Sequence, residues 1–255
     1  MTQIFGILGD PIAQARSPEV FNRLFRERDI DAVMIPMHVT ASGLEEALSG
    51  LHEIRNLGGL IITVPHKPAA ARLLRSQSDS VRIAGAANAL RPIAGGWDGA
   101  LFDGEGFAKG LEARSYRLSG KNCSIVGAGG AGAAIALALL QRRIGSLSLW
   151  DVDLEKVQSL RQRLRSVSSI PIGIKRPEFG TDLAVNATPI GMTPEDPLPF
   201  DIEPLRPDAL VADAIMKPPL TKLLLEADRK GCAIQEGRHM LDYQVGAIWQ
   251  FLGLP

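Results

Sequence analysis

A lysine directly follows an apolar strand, a position that suits a solvated surface residue or a group that handles protons. Residues 59–67, GLIITVPHK, form a strand candidate and then deliver Pro65, His66 and Lys67 before an alanine-rich helical run. Ligands of open α/β sheets bind beyond the carboxyl ends of the strands. Partial burial and a helix N-terminus both disfavour the charged form of a lysine. Lys67 is therefore a candidate acid–base group, and an ordinary lysine at a helix start is the alternative.

A glycine-rich turn later in the chain indicates a second kind of chemistry. Gly127, Gly129 and Gly132 complete a G-x-G-x-x-G pattern, with Gly130 inside it. The pattern follows the apolar run CSIV and opens the helical run AAIALALL, which is the context in which it binds a dinucleotide. The first glycine permits a tight turn, the second lets the backbone approach a pyrophosphate, and the third lets helix and strand pack closely. We predict a dinucleotide site here, with its phosphates at the helix N-terminus; a helix start without a ligand is the alternative.

An acidic residue at the end of the next strand candidate bears on the choice of cofactor. Asp151 ends the run SLSLWD, and Asp153 lies close by. An acid about 20 residues after the first glycine accepts hydrogen bonds from the ribose and repels a 2′-phosphate. No arginine occupies positions 150–154. We therefore predict NAD in preference to NADP, although Asp151 could also cap the helix that follows.

Composition and charge narrow the class of protein and its partners. The chain has 255 residues, 45% of them hydrophobic and 22% charged, which favours one large or two ordinary folded domains over disorder. Lys plus Arg and Asp plus Glu number 28 each, so no electrostatic signal for nucleic acid or an anionic membrane is present. We expect a small-molecule partner, no nucleic acid and no membrane, and either a monomer or a homodimer.

Cysteines and apolar segments bear on compartment and metal binding. Cys123 and Cys232 are too few for a disulfide framework or a zinc site, so we expect buried, unreactive thiols and no metal. The N-terminus lacks the pattern of a signal peptide, and AGAAIALALL is too short to span a bilayer. These features favour a cytoplasmic protein.

Strand-like and helical runs alternate along the chain, which predicts an α/β fold with largely parallel sheets and crossover helices. The regular alternation ends near a Gly95–Gly96 turn that predicts a hairpin. We predict two domains: an N-terminal α/β domain over 1–103 and a Rossmann-type domain over 104–236. A single amphipathic helix is expected over 237–253, with 237–255 packing back on the first domain.

Seven segments, in order along essentially the whole chain, resemble the motifs of the shikimate dehydrogenase family: GDPIAQARSP, ITVPHK, AGAANAL, FDGEG, VGAGGAG, NATPIGM and GRHMLDYQ. The resemblance implies that the first domain binds the substrate and the second binds NAD. It also implies a hydride transfer between NAD and a secondary alcohol of shikimate or a related cyclic hydroxy acid. The alternative is a catalytically weak or inactive paralogue that binds a dinucleotide and has a sensing or regulatory role.

The resemblance also assigns roles to individual residues. Lys67 and Asp103 would form the catalytic pair. Ser17 would bind the substrate carboxylate, although a serine before a proline is also a good helix N-cap. The other implied positions are those that bind ring hydroxyls (Thr63, Asn88 and Gln244) and those that line the cofactor cleft (Asn186 and Thr188).

Several substrate-pocket positions depart from the family pattern, so the resemblance leaves the physiological substrate open. A carboxylate-binding serine of the family is replaced by Ala15, and a threonine by Ala89. Leu101 and Phe102 replace polar residues before Asp103, and Met216 stands where a tyrosine is usual.

Overall fold

The computed structural model describes residues 1–13 and 15–255, which form two compact units. One unit comprises Met1–Phe102 and Ile248–Pro255, and the other comprises Asp103–Ala247. The strands are β1 (Gln3–Gly9), β2 (Ala32–His38), β3 (Leu57–Ile62), β4 (Ser76–Gln77), β5 (Ala89–Ile93), β6 (Gly96–Ala100), β7 (Asn122–Val126), β8 (Ser146–Trp150), β9 (Ile172–Ile174), β10 (Leu183–Asn186), β11 (Leu210–Asp213) and β12 (Ala233–Gln235). The α-helices are α1 (Ser17–Glu27), α2 (Leu44–His52), α3 (Lys67–Arg72), α4 (Asp79–Ala84), α5 (Asp103–Ala113), α6 (Gly130–Gln141), α7 (Leu154–Arg165), α8 (Lys222–Arg229), α9 (Arg238–Asp242) and α10 (Val245–Phe251).

The sheet of the first unit is mixed, in the order β2-β1-β3-β5-β6-β4. β1 is parallel to both β2 and β3, as crossover helices require, while β5 is antiparallel to β3 and to β6. The predicted hairpin joins β5 to β6, and its Gly95 has a φ of 76° that a glycine adopts without steric cost. Because β5 runs against β3, the start of β5 lies at the carboxyl end of β3.

An aromatic cluster anchors the C-terminal segment in the first unit. Phe21 and Phe25 of α1 are fully buried, and the ring of Trp249 lies 5.9 Å and 5.5 Å from theirs, between centroids. Aromatic rings at such distances contribute beyond the apolar area that they bury. The C-terminal segment therefore contributes Trp249 to the core of this unit, although it is distant in sequence from α1.

The sheet of the second unit is parallel throughout, in the order β12-β11-β10-β7-β8-β9. The first strand, β7, lies in the middle, and the chain builds outward through β8 and β9 before returning to its other side with β10. A crevice for a ligand opens at such a point of reversal, beyond the carboxyl ends of the strands. The predicted α/β fold, with a Rossmann-type second part, is confirmed.

The C-terminal region differs from the single helix expected over 237–253. It forms two helices, α9 and α10, and residues 238–247 belong to the second unit, whereas the sequence had assigned all of 237–255 to the first. The first of these helices, α9, packs closely on α5 of the second unit: a Cβ at Gly106 would lie only 2.1 Å from the carbonyl oxygen of Met240. Among the described residues, no helix has the length and apolar character that crossing a membrane would require.

Candidate active site

The three motif glycines of the second unit serve different purposes. Gly127 has a φ of 110°, and a Cβ there would lie 2.6 Å from the carbonyl oxygen of Ala187. A Cβ at Gly132 would lie 1.9 Å from the carbonyl oxygen of Gly127. A Cβ at Gly129, by contrast, would meet no protein atom within 4 Å. The protein itself therefore requires the first and third glycines, while the open space at the second fits the approach of a pyrophosphate to the N-terminus of α6, which begins at Gly130.

Asp151 is bound to the backbone on both of its carboxylate oxygens. The N–H of Ala128, inside the glycine loop, donates to Oδ2 at 2.7 Å, and the N–H of Asp153 donates to Oδ1 at 3.0 Å. The capping of α7 that was considered for Asp151 belongs to Asp153, whose side chain accepts from the N–H of Lys156. Asp151 therefore connects the end of β8 to the glycine loop.

An arginine that sequence reasoning missed lies beside this position. The guanidinium carbon of Arg176 is 3.8 Å from the ring centroid of Trp150, the last residue of β8. Arg176 comes two residues after β9, which pairs in parallel with β8. The usable signal was a basic residue just after a third strand, but β9 has only three residues and no clear sequence pattern.

Asn186 and Thr188 form a closed hydrogen-bond network after β10. Asn186 is 0% exposed, and its side-chain oxygen accepts from the N–H and the hydroxyl of Thr188 at 3.0 Å and 2.7 Å. Its amide nitrogen donates to the carbonyl of Ile190 at 3.0 Å and to the carboxylate of Asp213 at 3.1 Å. Asn186 therefore determines the shape of the loop after β10. Of these two residues, Thr188 is the one that is half-buried and has surface left for a ligand.

Asp213 is the buried centre of that network and was not expected from the sequence. It is 0% exposed and accepts hydrogen bonds from the N–H of Ile215 at 2.9 Å and the hydroxyl of Thr221 at 2.8 Å, besides Asn186. Burial raises the pKa of its carboxyl group, and these hydrogen bonds oppose the shift only in part. Thr221 also caps α8 through the N–H of Leu224, so the loops after β10 and β11 share one network.

Asp103 is the first residue of α5 and is 5% exposed. α5 packs tightly on α6, because a Cβ at Gly104 would lie 2.0 Å from the carbonyl oxygen of Ala134. Arg142 bridges the two helices, pairing with Glu105 at 2.9 Å and Glu112 at 2.8 Å. Asp103 is thus held in a constant position relative to the glycine loop at the start of α6.

The charge environment of the helix bridge is visible in Glu105. Burial raises the pKa of its carboxyl group, but the hydrogen bonds and charges of Arg142 and Lys109 outweigh burial, so that the pKa ends below its usual range. The carboxylate form therefore persists at neutral pH and keeps the bridge between α5 and α6 intact.

Gln244, another predicted site residue of this unit, is buried, and its Cβ would be 2.9 Å from a Cβ at Gly106 of α5.

Three of the predicted site residues meet at one end of the first unit's sheet. Thr63 directly follows β3, and its N–H donates to the carbonyl of Leu8 at 2.9 Å. Lys67, half-buried, is the first residue of α3, and its carbonyl accepts from the N–H of Ala87. Asn88 precedes β5 and is buried, and its side-chain oxygen accepts from the N–H of Phe102 at 3.0 Å. The antiparallel pairing of β3 and β5 brings these positions together.

Two further residues of this unit clarify the sequence alternatives. The helix α1 includes Ser17 and has Arg16 as its N-cap without a side-chain cap hydrogen bond, so capping does not account for the serine hydroxyl. His66 is buried, and its Nε2 lies 2.7 Å from the carbonyl oxygen of Val39. We therefore assign His66 a structural role at the start of α3.

The positions that depart from the family pattern have different surroundings. Ala89 and Leu101 are buried. The ring of Phe102 lies 5.6 Å from that of Phe251, between centroids, so its bulk packs within the first unit. Met216 is 47% exposed in the second unit.

Both cysteines lie in the second unit. Cys123 and Cys232 are free and buried, and burial raises the pKa of the Cys123 thiol to about 12. A thiol with so high a pKa holds almost no reactive thiolate at neutral pH. Across residues 1–13 and 15–255, no cluster of three or more His, Cys, Asp or Glu could hold a metal ion.

Comparison with known proteins identifies relatives of the whole chain. Residues 7–90 match the family model of the shikimate dehydrogenase substrate binding domain. A shikimate dehydrogenase (NADP(+)) of Rubrobacter xylanophilus is 34% identical over 253 residues, covering 95% of this chain and 88% of the relative. The crystal structure of shikimate dehydrogenase from Aquifex aeolicus has a TM-score of 0.85 at 29% identity, covering 98% of this chain and 92% of that one. A 5-ketofructose reductase of Gluconobacter sp. has a TM-score of 0.86 at 28% identity, covering 99% and 93%.

The prediction of NAD in preference to NADP is wrong. Relatives at 31–34% identity carry the name shikimate dehydrogenase (NADP(+)), which points to the phosphorylated cofactor. The structure supplies the physical reason. The carboxylate of Asp151 accepts hydrogen bonds from two backbone N–H groups, and Arg176, which is distant in sequence, lies over the ring of the adjacent Trp150.

Proposed function

Since the chain belongs to the shikimate dehydrogenase family, we propose that it is an NADP-dependent oxidoreductase acting on the secondary alcohol of shikimate or a related cyclic hydroxy acid. The observation that carries the proposal is the position of Lys67. Lys67 is half-buried and lies beyond the carboxyl end of β3, near Thr63 and Asn88. A ring with several hydroxyls would be bound at this end of the sheet. Relatives that carry the name of an active enzyme make the sensing paralogue the less favoured alternative.

Lys67 and Asp103 are proposed to move the proton of the reaction. A bound NADP would supply the acceptor for the hydride that leaves the carbinol carbon. Oxidation also removes the proton of the alcohol's hydroxyl group. The amine of Lys67 accepts this proton during oxidation and returns it during reduction. Asp103 orients that amine and shares the proton. A positioned acid–base group of this kind contributes typically about 10²–10⁴-fold in rate.

Four polar residues are proposed to bind the substrate. Ser17, whose hydroxyl does not cap α1, would donate to the carboxylate. Thr63, Asn88 and Gln244 would bind ring hydroxyls. The Asn88 side chain is suited to this role because the N–H of Phe102 holds its oxygen and so determines which way the amide points.

The cofactor is proposed to lie along the carboxyl edge of the second unit's sheet. The N–H groups at the start of α6 would bind the pyrophosphate, with Gly129 providing the open space that a larger residue would fill. Thr188 would contact the cofactor directly, whereas buried Asn186 would act by keeping that loop in shape.

The experiment is a steady-state assay of the full-length protein, following reduction of NADP with shikimate and a panel of cyclic hydroxy acids. We expect turnover with at least one ring acid that carries a secondary alcohol. Tight binding of NADPH without turnover of any member of the panel would reject the enzyme and favour the sensing paralogue.

A further inference from the structure

We infer that Arg176 binds the 2′-phosphate of NADP and so determines the cofactor preference of this chain; the inference rests on the proposed NADP-dependent function. The phosphate-binding cation of a Rossmann domain is expected near the end of the second strand of the domain. Here the corresponding segment 150–154 contains no arginine or lysine and two acids, Asp151 and Asp153. The cation must therefore come from elsewhere in the fold.

The register between β8 and β9 places Arg176 opposite the position of Asp151. β8 and β9 are parallel, with Leu149 opposite Ile174, and the N–H of Lys175 donates to the carbonyl of Leu149 at 3.1 Å. Extending this register by two residues, just beyond the ends of both strands, pairs the position of Arg176 with that of Asp151. This is the residue position whose side chain meets the adenosine ribose in dinucleotide-binding domains.

The Arg176 side chain is held in place but keeps its hydrogen-bonding groups for a ligand. Its guanidinium stacks on the ring of Trp150, with 3.8 Å between the Cζ atom and the ring centroid. Stacking orients the planar group while leaving its N–H donors at the edge, where two of them match the oxygens of a phosphate. Neighbouring Lys175 is paired with Glu178, whereas none of the carboxylates in the described part of the chain pairs with Arg176, which is exposed.

The two acids nearby are already neutralised in part by the protein. Asp151 accepts from the N–H groups of Ala128 and Asp153. Asp153 caps α7 and pairs with the amine of Lys156 at 3.1 Å. Their repulsion of a phosphate is correspondingly weakened, while no carboxylate among residues 1–13 and 15–255 forms an ion pair with Arg176. A guanidinium is also the side chain best suited to two-point binding of phosphate.

The test measures binding to the full-length protein by calorimetry, using 2′,5′-ADP and 5′-AMP as probes that differ only in the phosphate concerned. For Arg176→Met we expect the Kd of 2′,5′-ADP to rise about 10–100-fold, the usual loss for a charged hydrogen-bond partner, while that of 5′-AMP changes less than about threefold. Arg176→Lys should retain part of the preference. The matched control is Arg165→Met, which removes an exposed arginine at the end of α7.

Three outcomes would overturn the inference. They are an unchanged ratio of the two Kd values in Arg176→Met, an equal weakening of both probes, and a wild-type protein that binds 5′-AMP as tightly as 2′,5′-ADP. Because binding of these probes requires no substrate, a failure of the proposed dehydrogenase activity would appear separately, as absent turnover with normal discrimination between the probes.

Discussion

The carboxylate of Asp151 accepts a hydrogen bond from the backbone N–H of Ala128 at 2.7 Å, which joins the end of β8 to the glycine loop after β7. An acid at this position is ordinarily interpreted as a group that selects NAD. In this chain it is hydrogen-bonded to the glycine loop that is proposed to bind the phosphates. An acid of this type and spacing therefore does not by itself indicate NAD in this chain, because the backbone N–H of Ala128 is close enough to donate to the carboxylate.

Asp151→Ala should consequently weaken binding of NADP and NAD together. The N–H groups of Ala128 and Asp153 lose an ionised acceptor, a change of about 1.5–3 kcal/mol, or roughly 10–100-fold in affinity. The measurement is the Kd of each cofactor by calorimetry. Asp153→Ala is the control, since it removes only the cap of α7 and should affect stability more than binding. Selective loss of NAD binding with improved NADP binding would show that Asp151 contacts the ribose after all.

Lys67→Ala should lower kcat by about 10²–10⁴-fold with a smaller change in substrate KM, because the proton of the hydroxyl loses its acceptor. Asp103→Asn should be similarly impaired, and the double variant should be little worse than either, since the two residues act as one unit. Steady-state kinetics with the best ring acid provides the measurement. Lys222→Ala is a suitable control because Lys222 also begins a helix and is exposed. Near-normal turnover in Lys67→Ala would assign that lysine a binding or structural role.

Thr221→Val should destabilise the fold by about 1–3 kcal/mol, because buried Asp213 loses a hydroxyl donor and α8 loses its cap. The folded-state pKa of Asp213 is raised, so its ionisation reduces stability as pH rises from the unfolded-state pKa through the folded-state pKa. Removing the hydroxyl raises that pKa further, so the stability difference should be confined to the lost helix cap below this window and should be larger above it.

Urea unfolding of Thr221→Val between pH 4 and pH 8 measures this difference, and Thr221→Ser, which keeps the hydroxyl, serves as the matched variant. A deficit in Thr221→Val that does not depend on pH would show that the loss comes from the helix cap alone.

Ala15→Ser should improve kcat/KM for shikimate by roughly tenfold, the kinetic equivalent of about 1.4 kcal/mol, because the serine restores a donor to the substrate carboxylate. Wild-type protein should accordingly use shikimate with a high KM. Arg16 is the competing carboxylate partner, although it lies 3.7 Å from Glu19 in an exposed ion pair. A micromolar KM for shikimate in the wild type, with no gain from the serine, would show that Ala15 is a neutral replacement.

Local sequence was sufficient for the strand–turn–helix of the cofactor loop. The three motif glycines meet requirements set by residues close together in the chain. Gly127 has a positive φ, Gly129 leaves open space, and Gly132 allows a close contact. The alternation of apolar runs was likewise sufficient to predict an α/β fold with a parallel second sheet. The proposed roles of Lys67 and Asp103 come from the resemblance of their motifs and still await experiment.

Tertiary structure decided the features that depend on partners distant in sequence. The pairing of β8 with β9 brings Arg176 onto Trp150, and the approach of the β8 end to the glycine loop occupies Asp151. The close approach of α9 to α5 likewise belongs to packing between segments distant in sequence. Sequence reports the type of each charged or polar group and its local backbone preference. The partner that the group meets depends on strand register and helix packing, and that partner determines whether a carboxylate repels a phosphate or supports the loop that binds it.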